Sequence, residues 1–509
     1  MTPDFDPADL DLLDGLFDEP AAGSSPPGVA SIVARGEGDA PASLQQRRLW
    51  FLQELNPQSS AYNIASALRV TGPLDRARFQ HAFDVVVARH AVLRVTFQNR
   101  DGEPWQVVAA PSPAAIQWDD WSQRPDGDVA LATLAAAEGA APFDLARGPV
   151  YRVRIVRLGD NDHALLLTLH HSIADAWSID LLLADLRQAY EGAELPPLRV
   201  QYTDYSWWQR ERSDRAGRHD ETLQYWESAL ADLSETTLPT DCRRPAVLPH
   251  DGDVRTVAIP VDVVTALSAL ARSESTTPFV VLLSAFFVLL SRYTGQTDLV
   301  VGSPIAQRDD PDTQALIGFF VNMLVVRADA SGQPTFRAFL RRVTRVVRDG
   351  LAHGDVPFET LVERLRPTRD QSRHPLFTIA FTLLTAAVPR RGLDGLTMTP
   401  LAAATSSRFD LEVVMTDAPD GMRAVLTYNP ALFESTTIER VGAHFHTLLA
   451  GIACAPDERE TLQACARLVD QKMSAIRDGG KVLGADRIAV LAALQIAQEL
   501  FAVRSADGA

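Results

Sequence analysis

Residues 168–183 read "TLHHSIADAWSIDLLL". They close a longer stretch, "PVYRVRIVRLGDNDHALLLTLHHS", that begins at Pro149. Two apolar, β-rich runs flank a Gly-Asp-Asn-Asp turn, which predicts a pair of strands. The second strand is expected to end at His170, leaving His171 at its C-terminal lip. A loop follows, then a helix starting near Ser178 and ended by Gly192. Side chains at such a lip are held by the strand yet reach ligand. The ordinary imidazole pKa lies near neutrality, so His171 can take or give a proton there. Asp175, one helical turn further on, can orient the ring or hold the loop by pairing with an arginine.

The same alternation runs through the chain. "YNIASALRVTG" reads as a strand entering a turn, and "DRARFQHAFDVVVARHAVLRVTF" as an amphipathic helix followed by a β-branched run. Further on, "VRTVAIP", "DLVVGSPI", "NMLVVRAD", "FDLEVVMTDA" and "MRAVLTYNP" read as strands. Helices are expected at "TPFVVLLSAFFVLLSRYTG", "TFRAFLRRVTRVVRDGL" and "STTIERVGAHFHTLLAGI". This is an α/β (α+β) pattern in two lobes, with a Pro-rich crossover at "LPTDCRRPAVLPHDGD". The division expected is an acidic helix at 1–19, where Leu10, Leu13 and Phe17 share a face, and a Pro/Gly/Ala/Ser-rich linker at 20–42. A first lobe at 43–215, a second at 216–452 and a helical tail at 453–509 follow.

The chain has 509 residues, 46% of them hydrophobic, enough for two cores. Its 48 Lys+Arg against 65 Asp+Glu give a net charge of −17. Such a surface repels nucleic acid and anionic lipid, so neither is expected as a partner. The longest apolar run, from Phe279, is too short and too serine-interrupted to span a bilayer. The N-terminus carries no basic, apolar signal pattern. Cys242, Cys454 and Cys465 form no CxxC or Cys/His cluster, so no metal site or disulfide framework is expected. A reducing cytoplasm is the expected setting. No GxSxG, GxxxxGK[ST] or GxGxxG pattern occurs, which points away from a covalent serine intermediate and from a bound phosphate cofactor.

"HHSIADAWS" (His170–Ser178) resembles the HHxxxDGxS motif of condensation domains of nonribosomal peptide synthetases. The family's other motifs follow its order. "SLQQRRLWFL" (43–52) is similar to SxAQxRLWFL, "RHAVLRVTF" (89–97) to RHExLRTxF, and "YTDYSWW" (202–208) to YxDYAxW. "IGFFVNMLVVR" (317–327) is similar to IGxFVNTxxxR, "HGDVPFETLV" (353–362) to HQDxPFExLV, and "RDQSRHPLF" (369–377) to RDxSRxPLF. The resemblance implies two chloramphenicol-acetyltransferase-like lobes in a V-shaped pseudo-dimer around a central tunnel. It implies amide formation between a donor acyl or peptidyl thioester and an acceptor aminoacyl thioester. Both ride on phosphopantetheine arms of carrier proteins in trans, and this chain binds no cofactor of its own.

By that resemblance His171 is the catalytic residue and His170 structural. Asp175 holds the loop through a buried ion pair, with Arg94 expected as its partner and Ser178 in support. Ala176, Trp177, Asn322 and Arg373 line or shape the tunnel. Trp177 and "RHAVLR" look most like the subtype joining two L-residues. Ala176 stands where the family usually has glycine, which reaches backbone conformations that alanine resists; a methyl there would narrow the acceptor side, but the site is expected to survive, since alanine is the smallest step from glycine.

No GGxS-type carrier motif and no adenylation signature occur, so the expectation is that the chain meets loaded carriers in trans or is a fragment of a longer assembly line. The tail from about 453, notably "LVDQKMSAIRDGGKVLGADRIAVLAAL", resembles the ZapA cell-division family without its opening strands or long coiled coil. It reads as a junction left by gene rearrangement, and binding of the tubulin-like FtsZ is not expected. Two other readings of the chain stand beside condensation. One is a catalytically silent scaffold that gathers carriers. The other is a free-standing acyltransferase with a soluble acceptor.

Overall fold

A computed structural model describes residues 31–454, except 214–217, 309, 367–369, 371, 385–394, 402–404 and 419. The expected acidic helix at 1–19, the first part of the linker and the tail beyond Cys454 lie outside the described residues.

The predicted hairpin forms as Tyr151–Gly159 and Asp162–His170. Every residue from His163 to His170 is buried, because this strand lies in the middle of a five-stranded sheet. The order is Thr397–Pro400, Asn63–Thr71, Asp162–His170, Tyr151–Gly159, Ile116–Asp120. Asn63 faces His170 and Tyr151 faces Leu169, which fixes the register at the strand's end. The helix Ala176–Tyr190 then turns back and buries Leu182, Leu186, Ala189 and Tyr190 against the helix Arg76–Arg89. Arg89 and His90 of the RHAVLR stretch both reach Asp185 on that returning helix, at 2.6 and 2.7 Å.

A second sheet has seven strands, with Ile379–Leu384 parallel to both of its neighbours, Asp298–Ala306 and Leu411–Ala418, and the other pairings antiparallel. Against it packs the helix Pro278–Thr294, buried almost throughout. Thr277 caps its N-terminus, and Gly295 ends it in the left-handed conformation (φ 71°) that glycine enters without steric cost. So the apolar run from Phe279 is a core helix. Among the described residues no single helix is long and apolar enough to cross a membrane.

Two boundaries differ from expectation. Thr397–Pro400, from the second half of the chain, pairs with Leu68–Thr71 and completes the first sheet. The lobes are therefore not two separate stretches of sequence. The end of the expected linker is also built in. Ala40–Pro41 pairs with Trp105–Gln106 as an edge strand, and Ile32 is buried in the first core. Its Ala/Gly-rich composition signalled flexibility, but a two-residue edge strand needs no β-rich run.

Candidate functional site

His171 directly follows the histidine strand. Its backbone N–H donates to Tyr62 O at 2.8 Å, extending the pairing by one residue and fixing where the ring leaves the sheet. Nδ1 lies 3.1 Å from the Ala174 carbonyl oxygen. A carbonyl only accepts, so Nδ1 holds the proton and Nε2 keeps the lone pair. The Phe319 ring packs on the imidazole with centroids 5.3 Å apart. Burial first, then the charge of Arg408 and the neighbouring His170 imidazole, push the His171 pKa well below the usual 6.5. The imidazole is neutral at pH 7, densely surrounded but still half-open.

His170 points the other way, into the core, and is 1% exposed. Its Nδ1 accepts from the Ser172 backbone N–H at 3.2 Å and meets Ser172 Oγ at 2.9 Å. The rings of Tyr62 and Phe143 stand edge-on to it. Burial pushes its pKa down to about 3. This is the structural role expected of it, and it carries a sign. The unfolded chain protonates His170 below about pH 6.5, while the folded chain refuses the proton until about pH 3. Stability is therefore complete above pH 6.5 and falls by about 1.4 kcal/mol per pH unit below it. His90 and His374, also held down chiefly by burial, act in the same direction. Urea midpoints recorded from pH 7.5 to 5 should drop accordingly, and a flat profile would refute the neutral, buried His170.

Asp175 caps the helix Ala176–Tyr190. Its Oδ1 accepts from the Ser178 N–H at 2.8 Å and lies 2.6 Å from Ser178 Oγ. The buried ion pair expected of it exists, but the partner is Arg308. Arg308 Nη2 reaches Oδ1 at 3.0 Å and Oδ2 at 3.2 Å, and both side chains are almost fully buried. Arg94, the expected partner, is spent elsewhere. It donates to the carbonyls of Val87, Ala88 and Ala109 and pairs with Glu37 at 2.8 Å. Those bonds brace the short 3-10 turn Ala91–Arg94 in which it sits. The Asp175 knot ties the loop to a later segment. Ser178 Oγ exchanges hydrogen bonds with both backbone groups of Gly318, and Phe320 N–H donates to Asp175 Oδ2 at 3.2 Å. Arg308 also lies across the Phe320 ring, 4.0 Å from its centroid.

The other expected site residues divide. Trp177 donates to Gln314 O at 3.1 Å, so it anchors the same cross-lobe contact. Ala176 opens the helix, is exposed, and does not have the positive φ that would require glycine. The alanine is unstrained there. Asn322 and Arg373 are each held by bonds within the stretch expected as the second lobe. Asn322 is 4% exposed, and its amide is consumed by Gly354 O, Val356 O and the Phe358 N–H. Arg373 pairs with Glu235 and Asp370. Asn322 braces the fold, because a buried amide must satisfy its own hydrogen bonds first.

Sequence reasoning missed Arg308, Tyr202 and Gln46. Gln46, fully buried, donates to Ser172 O at 2.8 Å, immediately beside His171. Gln46 and Tyr202 lie inside the quoted SLQQRRLWFL and YTDYSWW stretches, so position in a motif was the available signal. Arg308 ends "SPIAQR", just past a predicted strand. Among the described residues no group of three or more His, Cys, Asp and Glu is placed to hold a metal.

The family model described as the condensation domain matches residues 36–468. The chain belongs to the condensation-domain family. Chondramide synthase cmdD of Chondromyces crocatus is 39% identical over 430 residues, covering 82% of this chain but 11% of that protein. Phosphinothricin tripeptide synthetase PhsC of Streptomyces viridochromogenes is 36% identical over 461 residues, covering 87% and 42%. The chain thus spans less than half the length of these curated relatives.

Among solved structures, the X-domain from teicoplanin biosynthesis superposes with TM-score 0.73 at 27% identity, covering 83% of this chain and 96% of that one. The first condensation domain of the calcium-dependent antibiotic synthetase gives 0.68 at 20% identity, covering 82% and 97%. The latter likeness shows the condensation-domain fold alone, and the mixed α/β class expected from the sequence agrees with it. A second family model, cell division protein ZapA, matches residues 451–509, the stretch whose sequence resembled that family.

Proposed function

We propose that this condensation domain joins two carrier-bound substrates through an amide bond at His171. The α-amine of the acceptor aminoacyl thioester attacks the donor thioester carbonyl. The new C–N bond forms, the donor C–S bond breaks, and the proton lost by nitrogen ends on the departing thiol. Carrying this reading is the arrangement at His171. A neutral imidazole has its Nδ1 proton tied to Ala174 O, its Nε2 lone pair left for a ligand, and its ring covered by a residue of the cross-lobe segment.

The depressed pKa of His171 supports a role after attack rather than before it. A weakly basic imidazole does little for a free amine before attack. The attacked nitrogen, however, becomes a strongly acidic ammonium in the tetrahedral species, and a weak base suffices to take that proton. The thioester is already activated, so alignment of two tethered reactants can supply roughly 7–11 kcal/mol of the barrier. Donor and acceptor arrive on phosphopantetheine arms of separate carriers, and this chain supplies no cofactor. Cys242 is a free thiol, in keeping with a cytoplasmic setting.

The test is intact-protein mass spectrometry with donor and acceptor carriers loaded in a panel, L-residue donors first. Donor mass should move onto the acceptor carrier. Carriers that bind without any transfer across the panel would favour the silent-scaffold reading instead.

A further inference from the structure

We propose that Tyr202 is a positioning residue that sets how His171 is covered, acting through the carbonyl of Phe319. Tyr202 opens the helix Tyr202–Ser213 and is 1% exposed. Its hydroxyl lies 2.6 Å from Phe319 O. The phenol has one proton, and the carbonyl can only accept, so that proton goes to Phe319. The second contact, Ser43 Oγ at 2.9 Å, must then run from Ser43 to Tyr202. Ser43 Oγ in turn accepts from the Gln46 N–H at 3.2 Å, and the Gln46 side chain holds Ser172 O. The chain of bonds reaches both neighbours of the imidazole: Ser172, next in sequence, and Phe319, which packs on the ring.

The Tyr202 ring grips the same segment from the side. It stands edge-on to Phe320, with centroids 5.0 Å apart. A Cβ built on Gly318 would overlap Tyr202 Cδ2, so only glycine admits this approach. Gly318, Phe319 and Phe320 are thus each fixed by one tyrosine, by exclusion of bulk, hydrogen bond and ring contact. Burial pushes the Tyr202 pKa well above 10, so the phenol remains a donor. The Asp175–Arg308 pair holds the same segment at Phe320 and Leu316 but makes no bond to Phe319. The titratable groups facing His171 itself are Arg408 and His170, and neither takes part in this chain.

The inference rests on His171 being the reacting group, as proposed above, but its first readout needs no substrate. The His171 ring titration is followed by NMR in the wild type, Tyr202→Phe and Gly318→Ala. Tyr202→Phe keeps the ring and frees the Phe319 carbonyl. Gly318→Ala puts a methyl against the Tyr202 ring and displaces the segment from it. In both, water gains access to the imidazole, and the titration midpoint should rise toward 6.5 by about one unit, a tenfold change in proton affinity. The acid limb of the condensation pH–rate profile should move with it, with kcat down about tenfold and KM for either carrier unchanged within about twofold. Ser43→Ala, which withdraws the bond into the phenol, should give a smaller shift of the same sign and serves if Tyr202→Phe does not fold. A folded Tyr202→Phe protein with the wild-type His171 midpoint and kcat overturns the proposal. A wild type without transfer activity but with the expected midpoint shifts would instead overturn only the reaction assignment.

Discussion

Asp175→Ala will lose about 3–5 kcal/mol of stability, because it strands the Arg308 guanidinium in the interior without its counter-charge. Against a typical total of about 5–15 kcal/mol, that is enough to leave a sizeable unfolded fraction near 37 °C. Two losses combine. Arg308 is 6% exposed and keeps only neutral partners, the Thr313 and Leu316 carbonyls and Ser178 Oγ. The helix Ala176–Tyr190 also loses its N-cap, worth about 1 kcal/mol alone. Arg308→Met should cost less. Asp175 would still accept from the Ser178 and Phe320 N–H groups and sit at a helix N-terminus, where a negative charge is favoured. The double variant should therefore be milder than the two single losses added together. Urea unfolding of the four proteins reads this directly. If Asp175→Ala unfolds like the wild type yet transfers nothing, the carboxylate belongs to the chemistry rather than to the fold.

That pair also marks where sequence reading ends. The strand to His170, the lip position of His171 and the helix stopped by Gly192 were legible, since each depends on a local pattern of apolar residues and breakers. The buried pairing of Asp175 with an arginine came from the family resemblance, since the residues alone left orienting the ring as an equal choice. Which arginine it pairs with was legible from neither. Arg94 was the nearer candidate by motif, whereas Arg308 lies 133 residues along the chain from Asp175. Only tertiary packing brings it there. Thr397–Pro400 was missed for a related reason. It is a four-residue strand with a largely exposed pattern and takes its place only because Leu68–Thr71 offers an open edge. The helices Tyr202–Ser213 and Arg218–Ala229 were not among the helices read from the sequence. Their charged residues hide the aromatic side, where Tyr202, Tyr205 and Trp226 are buried. The conformational part of the doubt over Ala176 is removed by an ordinary helical first residue at that position.

His171→Ala should fold and should transfer about 10²–10⁴-fold more slowly than the wild type. Folding survives because the side chain makes one hydrogen bond, to Ala174 O, and the backbone bond to Tyr62 remains. A residual rate persists because alignment of the two thioesters does not depend on the imidazole. The pH dependence separates loss of a proton acceptor from loss of mere packing. In the wild type His171 is neutral well below pH 6.5, so the rate should be level through neutrality and fall only in the acid range, as the imidazole protonates. His171→Ala should lack that acid limb, apart from any unfolding shared with the wild type through His170. His171→Gln, which keeps a polar group but cannot act as a base, should be as slow as alanine if proton acceptance is the role. If glutamine restores most of the transfer, His171 works by hydrogen bonding to the tetrahedral species, and its low basicity is what keeps it uncharged for that task.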